Sequence, residues 1–137
     1  MAHEIKVATE AANVKADAWA AAMNAGVMAI YEGAKPPTGN TAIGAQVLLG
    51  VLTFGNPAFG AAVSGLVTAN AITKDAAADN SGTAQFYRLF QSDGITPMGD
   101  GTCGLTGSGS DLEMSNTTIT AGGEITCSGF THQESLG

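Results

Sequence analysis

The sequence predicts a mainly β fold, a β sandwich or jelly-roll-like meander with one N-terminal α-helix packed on it. Three observations lead there. Glycine is frequent, 19 in 137 residues, and follows no fixed period, which suits many tight turns between short strands. From residue 27 onward, short apolar or alternating runs recur between Gly, Pro, Asn and Asp turn signals. Ahead of them, residues 8–25 contain neither Gly nor Pro, and Ala is frequent.

The helix is expected over 8–25. Val7, Ala11, Val14, Ala18 and Ala22 recur at spacings of three and four and define its apolar stripe. Thr9 with Glu10 suits an N-terminal cap, and Gly26 sits where a left-handed residue ends a helix. A stripe of small side chains lets the helix lie close against a sheet, with Trp19 and Met23, four apart, as its large contacts.

Strands are expected at 27–32, 46–54, 66–72 and 83–91, then in a meander of 98–105, a stretch with Leu112 and Met114 pointing one way, a tight reversal from Asn116, a short strand ending at Ile119, and 124–132. In 46–54, Val47, Leu49, Val51 and Thr53 fall on one face and Leu48, Leu52 and Phe54 on the other, so both faces require cover. Stretch 83–91 places Gln85, Tyr87 and Leu89 opposite Phe86, Arg88 and Phe90. Either this strand lies in the middle of a sandwich, or a neighbouring subunit covers one face. The whole chain, 1–137, reads as a single domain with its sandwich over 27–132 and a short tail at 133–137.

Charge narrows the function. Five Lys and Arg stand against twelve Asp and Glu, a formal net charge of -7, and no basic residue follows Arg88. Phosphate neutralisation needs clustered cations, so neither nucleic acid nor an anionic membrane is the expected partner. No run is long and apolar enough for a membrane helix, and the N-terminus lacks a secretory layout, so a soluble, unprocessed protein is expected.

No catalytic, metal or cofactor-binding residue is assigned. His3 and His132 are the only histidines, and neither stands in a recognisable triad pattern. Asp111 and Glu113 share a strand face at a spacing a glycosidase could use, but read as a solvated edge. Asp93-Gly94 and Asp100-Gly101 read as turns, since an EF-hand loop needs more ligands. Cys103 and Cys127 lack the partners of a zinc site. They are candidates for a cross-strand disulfide, worth roughly 3 kcal/mol on the chain-entropy model, for two free buried thiols, or for a bond to another chain.

The segments 83–89, 109–119, 121–123 and 130–132, written Thr83-Ala84-Gln85-Phe86-Tyr87-Arg88-Leu89, Gly109-Ser110-Asp111-Leu112-Glu113-Met114-Ser115-Asn116-Thr117-Thr118-Ile119, Ala121-Gly122-Gly123 and Phe130-Thr131-His132, together resemble a family of small tailed-bacteriophage virion structural proteins. The layout before them is similar too, with a helix, Ile30-Tyr31-Glu32-Gly33, and Pro36-Pro37. The resemblance implies a capsid decoration or cement protein on the outer surface of the virion, made in the host cytoplasm. Its partner is then the major capsid protein, and it assembles with itself as a homotrimer or homodimer; it is no enzyme and carries no cofactor. Trp19, Met23, Phe86, Tyr87, Arg88 and Phe90 are the candidate subunit contacts. A neck, tail or fibre-associated adaptor is the alternative. A glycan-binding module is the third reading and requires an aromatic or carboxylate-lined pocket that the sequence does not reveal.

Overall fold

The computed structural model describes residues 7–134. Among them the chain is mainly β with a single helix, α1 (Thr9–Ala22), followed by β1 (Val27–Glu32), β2 (Val47–Thr53), β3 (Leu66–Thr68), β4 (Gly82–Thr83), β5 (Phe86–Phe90), β6 (Pro97–Leu105), β7 (Leu112–Met114), β8 (Thr118–Ile119) and β9 (Thr131–Gln133). The principal sheet has the order β2-β1-β5-β6-β7, and two ribbons, β3-β9 and β4-β8, stand apart from it.

The helix forms where expected but is turned the other way. Ala12, Ala16, Ala20 and Met23 are buried, whereas Val14 is 61% exposed and Ala11 and Ala18 face solvent. Polar anchoring decides the rotation. Asn13 Oδ1 accepts the Gly65 N–H at 2.8 Å, Asp17 Oδ1 the Ala62 N–H at 2.8 Å, and Asn24 Oδ1 the Ala58 N–H at 2.9 Å. At 100° per residue, Asn13 and Asp17 lie on one side of α1, beside the buried alanines, and Asn24 follows just past its C-terminus. At the N-terminus Ala8 is the cap residue and makes no side-chain hydrogen bond. At the other end Ala25, with φ 57°, takes the left-handed position expected of Gly26. Gly26 is needed for another reason, since a Cβ there would lie 2.6 Å from the Phe90 carbonyl oxygen.

Strand β1 is central and pairs antiparallel with both β2 and β5. Its alternation sends Met28 and Ile30 into the main core and Ala29 and Tyr31 to the opposite face. Strand β5 follows suit, with Tyr87 and Leu89 inward and Phe86 and Phe90 on the outer face. The strict alternation expected of β2 fails. A register shift opposite Ile30 and Tyr31 puts Leu49 and Leu52 together in the main core and leaves Leu48 and Val51 outside. At this bulge Gly50 leaves room for a crossing loop: a Cβ would lie 2.5 Å from Ile125 Cδ1 and 2.6 Å from Asp75 Oδ2. That Asp75 oxygen accepts the Val51 N–H at 2.9 Å.

The C-terminal part departs from a meander. Strand β7 joins β6 in parallel, with Cys103 opposite Leu112 and Leu105 opposite Met114. The expected strand at 124–132 shortens to β9, which pairs with β3, while Ile125 bridges to Asp75. The second layer over the main core is aromatic. Phe130 packs edge-on to Tyr87 with centroids 5.5 Å apart, and Phe54, Phe59 and Trp19 continue the cluster toward α1.

Candidate functional site

A cavity of about 410 Å³ opens where α1, the start of β6 and β9 come near one another. Trp19 from the helix, Tyr87 and Leu89 from β5, Met98 to Asp100 from β6, Asp111, and Phe130 to Gln133 line it. The walls therefore come from points more than a hundred residues apart in the chain.

Its aromatic wall is preassembled. The Trp19 and His132 rings stack with centroids 3.7 Å apart and planes 12° from parallel, and Phe59 lies 5.3 Å from the Trp19 ring. His132 Nε2 is 2.6 Å from Glu134 Oε2, and both side chains are about one quarter exposed. On the facing wall Tyr87 lies across Gly101, its partner on β6, where any side chain would collide with the phenol. Tyr87 is 6% exposed. Its hydroxyl has no hydrogen-bond partner among the described residues and opens on the cavity. Burial, with a contribution from the Asp111 carboxylate, raises the phenol above its ordinary pKa, so it stays protonated. Asp111 Oδ2 accepts from the Thr102 N–H at 2.9 Å and from its hydroxyl at 3.1 Å.

The candidate contact residues separate into two groups. Trp19 and Tyr87 line this cavity. Met23 and Phe86 are completely buried inside the chain, so neither presents a surface to a neighbour. Phe90 is partly buried against the outer-face cluster. Arg88, 3% exposed, is also consumed internally: its Nε donates to Asp100 Oδ1 at 2.6 Å and its Nη2 to Asp100 Oδ2 at 2.9 Å and the Thr38 carbonyl at 3.2 Å. The loop after β1, through Thr38 and Ile43, thus covers the face of β5 for which a neighbouring subunit was one explanation.

Cys103 and Cys127 are free thiols that pack against the same core. Burial pushes the Cys103 thiol up to about 12, with Cys127 and Asp111 nearby adding to it, and burial likewise raises Cys127. Neither is an activated nucleophile. Glu113 does not pair with Asp111. It accepts the Gly107 and Gly109 N–H groups at 3.2 and 2.9 Å and closes that loop. Asp93 makes the expected turn by accepting from Ile95, Thr96 N–H and the Thr96 hydroxyl. Among the described residues no group of His, Cys, Asp or Glu is arranged to hold a metal ion, and no helix is long and apolar enough to cross a membrane. His3 lies outside the described residues.

Sequence reasoning named Trp19, Tyr87, Asp111 and His132 one by one but gave no signal that they converge. The anchoring trio Asn13, Asp17 and Asn24 was missed; the spacing of four between Asn13 and Asp17 on one helical face was the available clue. Compared with known families, curated proteins and solved structures, the chain matches none.

Proposed function

We propose that the protein is a structural component of a tailed-bacteriophage particle, a decoration protein that seats on the outer surface of the assembled capsid as a dimer or trimer and clamps neighbouring subunits of the major capsid protein. The observation that carries this reading is the outward-turned apolar stripe of α1. Ala11, Val14 and Ala18 face solvent on a helix that Asn13 and Asp17 anchor inward. Exposed Val63 and Leu66 belong to the segment that those anchors tie to the helix. Small side chains permit close approach by a partner, and a firmly held helix loses little freedom when one docks. The acidic character of the chain keeps this surface away from packaged DNA and fits a place outside the shell.

Binding only the assembled lattice stabilises that lattice by mass action. Quantitative mass spectrometry of purified particles against the major capsid protein tests the reading. Stoichiometry at a simple fraction of the capsid subunit is expected. A few copies per particle would move the protein to the neck or tail, and absence would remove it from the virion.

A further inference from the structure

The cavity beside Trp19 lies between two open strand edges. Along β5–β6, the Cys103 N–H donates to the Gln85 carbonyl at 3.0 Å. Alternation then turns the main chains of Gly101 and Gly99 toward β5, and those of Thr102 and Asp100 away from it. Strand β7 takes up the outer edge of β6 only from Cys103 onward, and the Asp111 carboxylate occupies the Thr102 N–H. Among the described residues nothing pairs with the Asp100 main chain on that edge. On β9 the Ala69 N–H donates to Phe130 O at 2.8 Å and the Glu134 N–H to Gly65 O at 2.9 Å. Phe130, His132 and Glu134 therefore face β3, while Thr131 and Gln133 turn their main-chain groups away from it. Asp100, Thr131 and Gln133 all line the cavity.

We infer that this cavity is a strand-insertion slot that receives an extended segment bearing a Lys or Arg from a different protein chain. Unpaired edges recruit a strand through main-chain hydrogen bonds, and an adjoining pocket selects its side chain. Three residues of strand, about 10 Å long, 4.8 Å wide and 10 Å through, displace roughly 480 Å³, comparable with the 410 Å³ available.

Charge selects the occupant. Asp100 is neutralised by Arg88, but the Asp111 carboxylate receives only the neutral donors of Thr102 and stands with the Tyr87 hydroxyl at the cavity wall. A long aliphatic stem fits along Met98 and Phe130 and brings its cation to Asp111. The described part of this chain has no such segment to donate to a second copy. Of the chain's five cations, Lys15 is in α1, Lys35 precedes Pro36 and Pro37, Lys74 pairs with Glu124, Arg88 is buried, and Lys6 lies outside the described residues, so self-association is the control in the test below. A sugar is disfavoured, because the Trp19 face it would stack on is covered by His132. The inference rests on the slot and not on the virion assignment, so either can fail alone.

The test uses an acetylated, amidated peptide, Thr-Val-Thr-Val-Lys-Val-Thr-Val-Thr, titrated to millimolar concentration against the whole protein. The chain's only Trp is Trp19, so its emission reports the cavity directly. The expected result is a saturable change in Trp19 emission with slowed amide exchange at Asp100, Thr131 and Gln133. Asp111→Asn, whose amide oxygen still accepts from Thr102, should weaken binding roughly tenfold, the weight of one charge-assisted contact. Replacing the central Lys by Glu, or N-methylating alternate peptide amides, should abolish binding. No response to the Lys peptide, or equal binding by the N-methylated one, overturns the inference. So does protection of the same amides by self-association without peptide, or a response to a monosaccharide panel alone.

Discussion

Removing the charge from Asp100 should destabilise the isolated chain severely, and removing both charges of its pair should not. Arg88 and Asp100 sit opposite each other on β5 and β6, each side chain 4% exposed, joined by two short hydrogen bonds. Asp100→Asn keeps the shape but leaves a buried guanidinium, held against the Thr38 carbonyl, without its counter-charge. Breaking one side of such a buried pair costs about 3–5 kcal/mol. For a chain of this length that corresponds to a fall in Tm of roughly 10–20 °C. The double variant Arg88→Met, Asp100→Leu abolishes the desolvation of both charges and should return to within about 2 kcal/mol of the wild type. Urea unfolding followed by Trp19 emission measures all three chains, because that ring is packed between His132 and Phe59 and is exposed on unfolding. A loss below about 1 kcal/mol for Asp100→Asn, with an unchanged urea dependence, would refute the reasoning. It would mean that water screens the pair and that the outer face of β5 is open, as a subunit-contact role for Arg88 requires.

The remaining predictions concern the thiols, the helix face and the acidic loops. At pH 8 Cys103 should react with iodoacetamide about a thousandfold more slowly than free cysteine, since burial leaves it almost no thiolate; rapid native labelling, or a non-reducing mass lacking the thiol hydrogens, would contradict the free, buried state. Val14→Glu should leave stability within about 0.5 kcal/mol, the residue being exposed, yet abolish attachment to capsids that lack the protein, read by co-sedimentation. Asp93 lies below its ordinary pKa through the hydroxyl and main-chain donors of Thr96 and Ile95, and Glu113 through the Gly107 and Gly109 N–H groups. Each pKa is lower in the folded state, so the stabilisation is complete above the unfolded values, near pH 4. It is lost as the pH falls through the lowered folded values. Protection of the Ile95, Thr96, Gly107 and Gly109 amides, taken as exchange relative to the intrinsic rate at each pH, should fall below about pH 4 and stay constant between pH 6 and 8.

How far the fold could be read depended on whether local pattern or a distant partner set the outcome. The span of α1, the whole of β1 and the two-faced burial of β5 follow from local sequence, and so were legible. The rotation of α1 was not. A stripe of alanines gains little from burial, under about 1 kcal/mol for each methyl, whereas an enclosed main-chain N–H without an acceptor costs about 1–3 kcal/mol. Two such groups, the part-buried N–H of Ala58 and of Gly65, joined by the more exposed Ala62 N–H, therefore outweigh the stripe and draw Asn24, Asn13 and Asp17 toward them. The bulge in β2 has the same kind of origin, because Asp75, twenty-four residues on, binds the Val51 N–H beside Gly50.

The parallel pairing of β6 with β7 was hidden for a different reason. A connection as short as 106–111 normally makes a hairpin, since parallel neighbours usually need a dozen residues or more between them. Here Gly107 and Gly109, both with positive φ, let the chain double back, Glu113 holds their N–H groups, and Asp111 locks onto Thr102. These contacts end the β6–β7 ladder at Cys103 and leave the earlier part of β6 without a partner on that side. The feature that defeats the meander expectation is thus the one that leaves the Asp100 edge open. The acidic residue that read as a solvated edge, Asp111, is what both closes the ladder and gives the resulting slot its charge. An interaction site of this kind leaves no local motif, because it consists of where strand pairing stops.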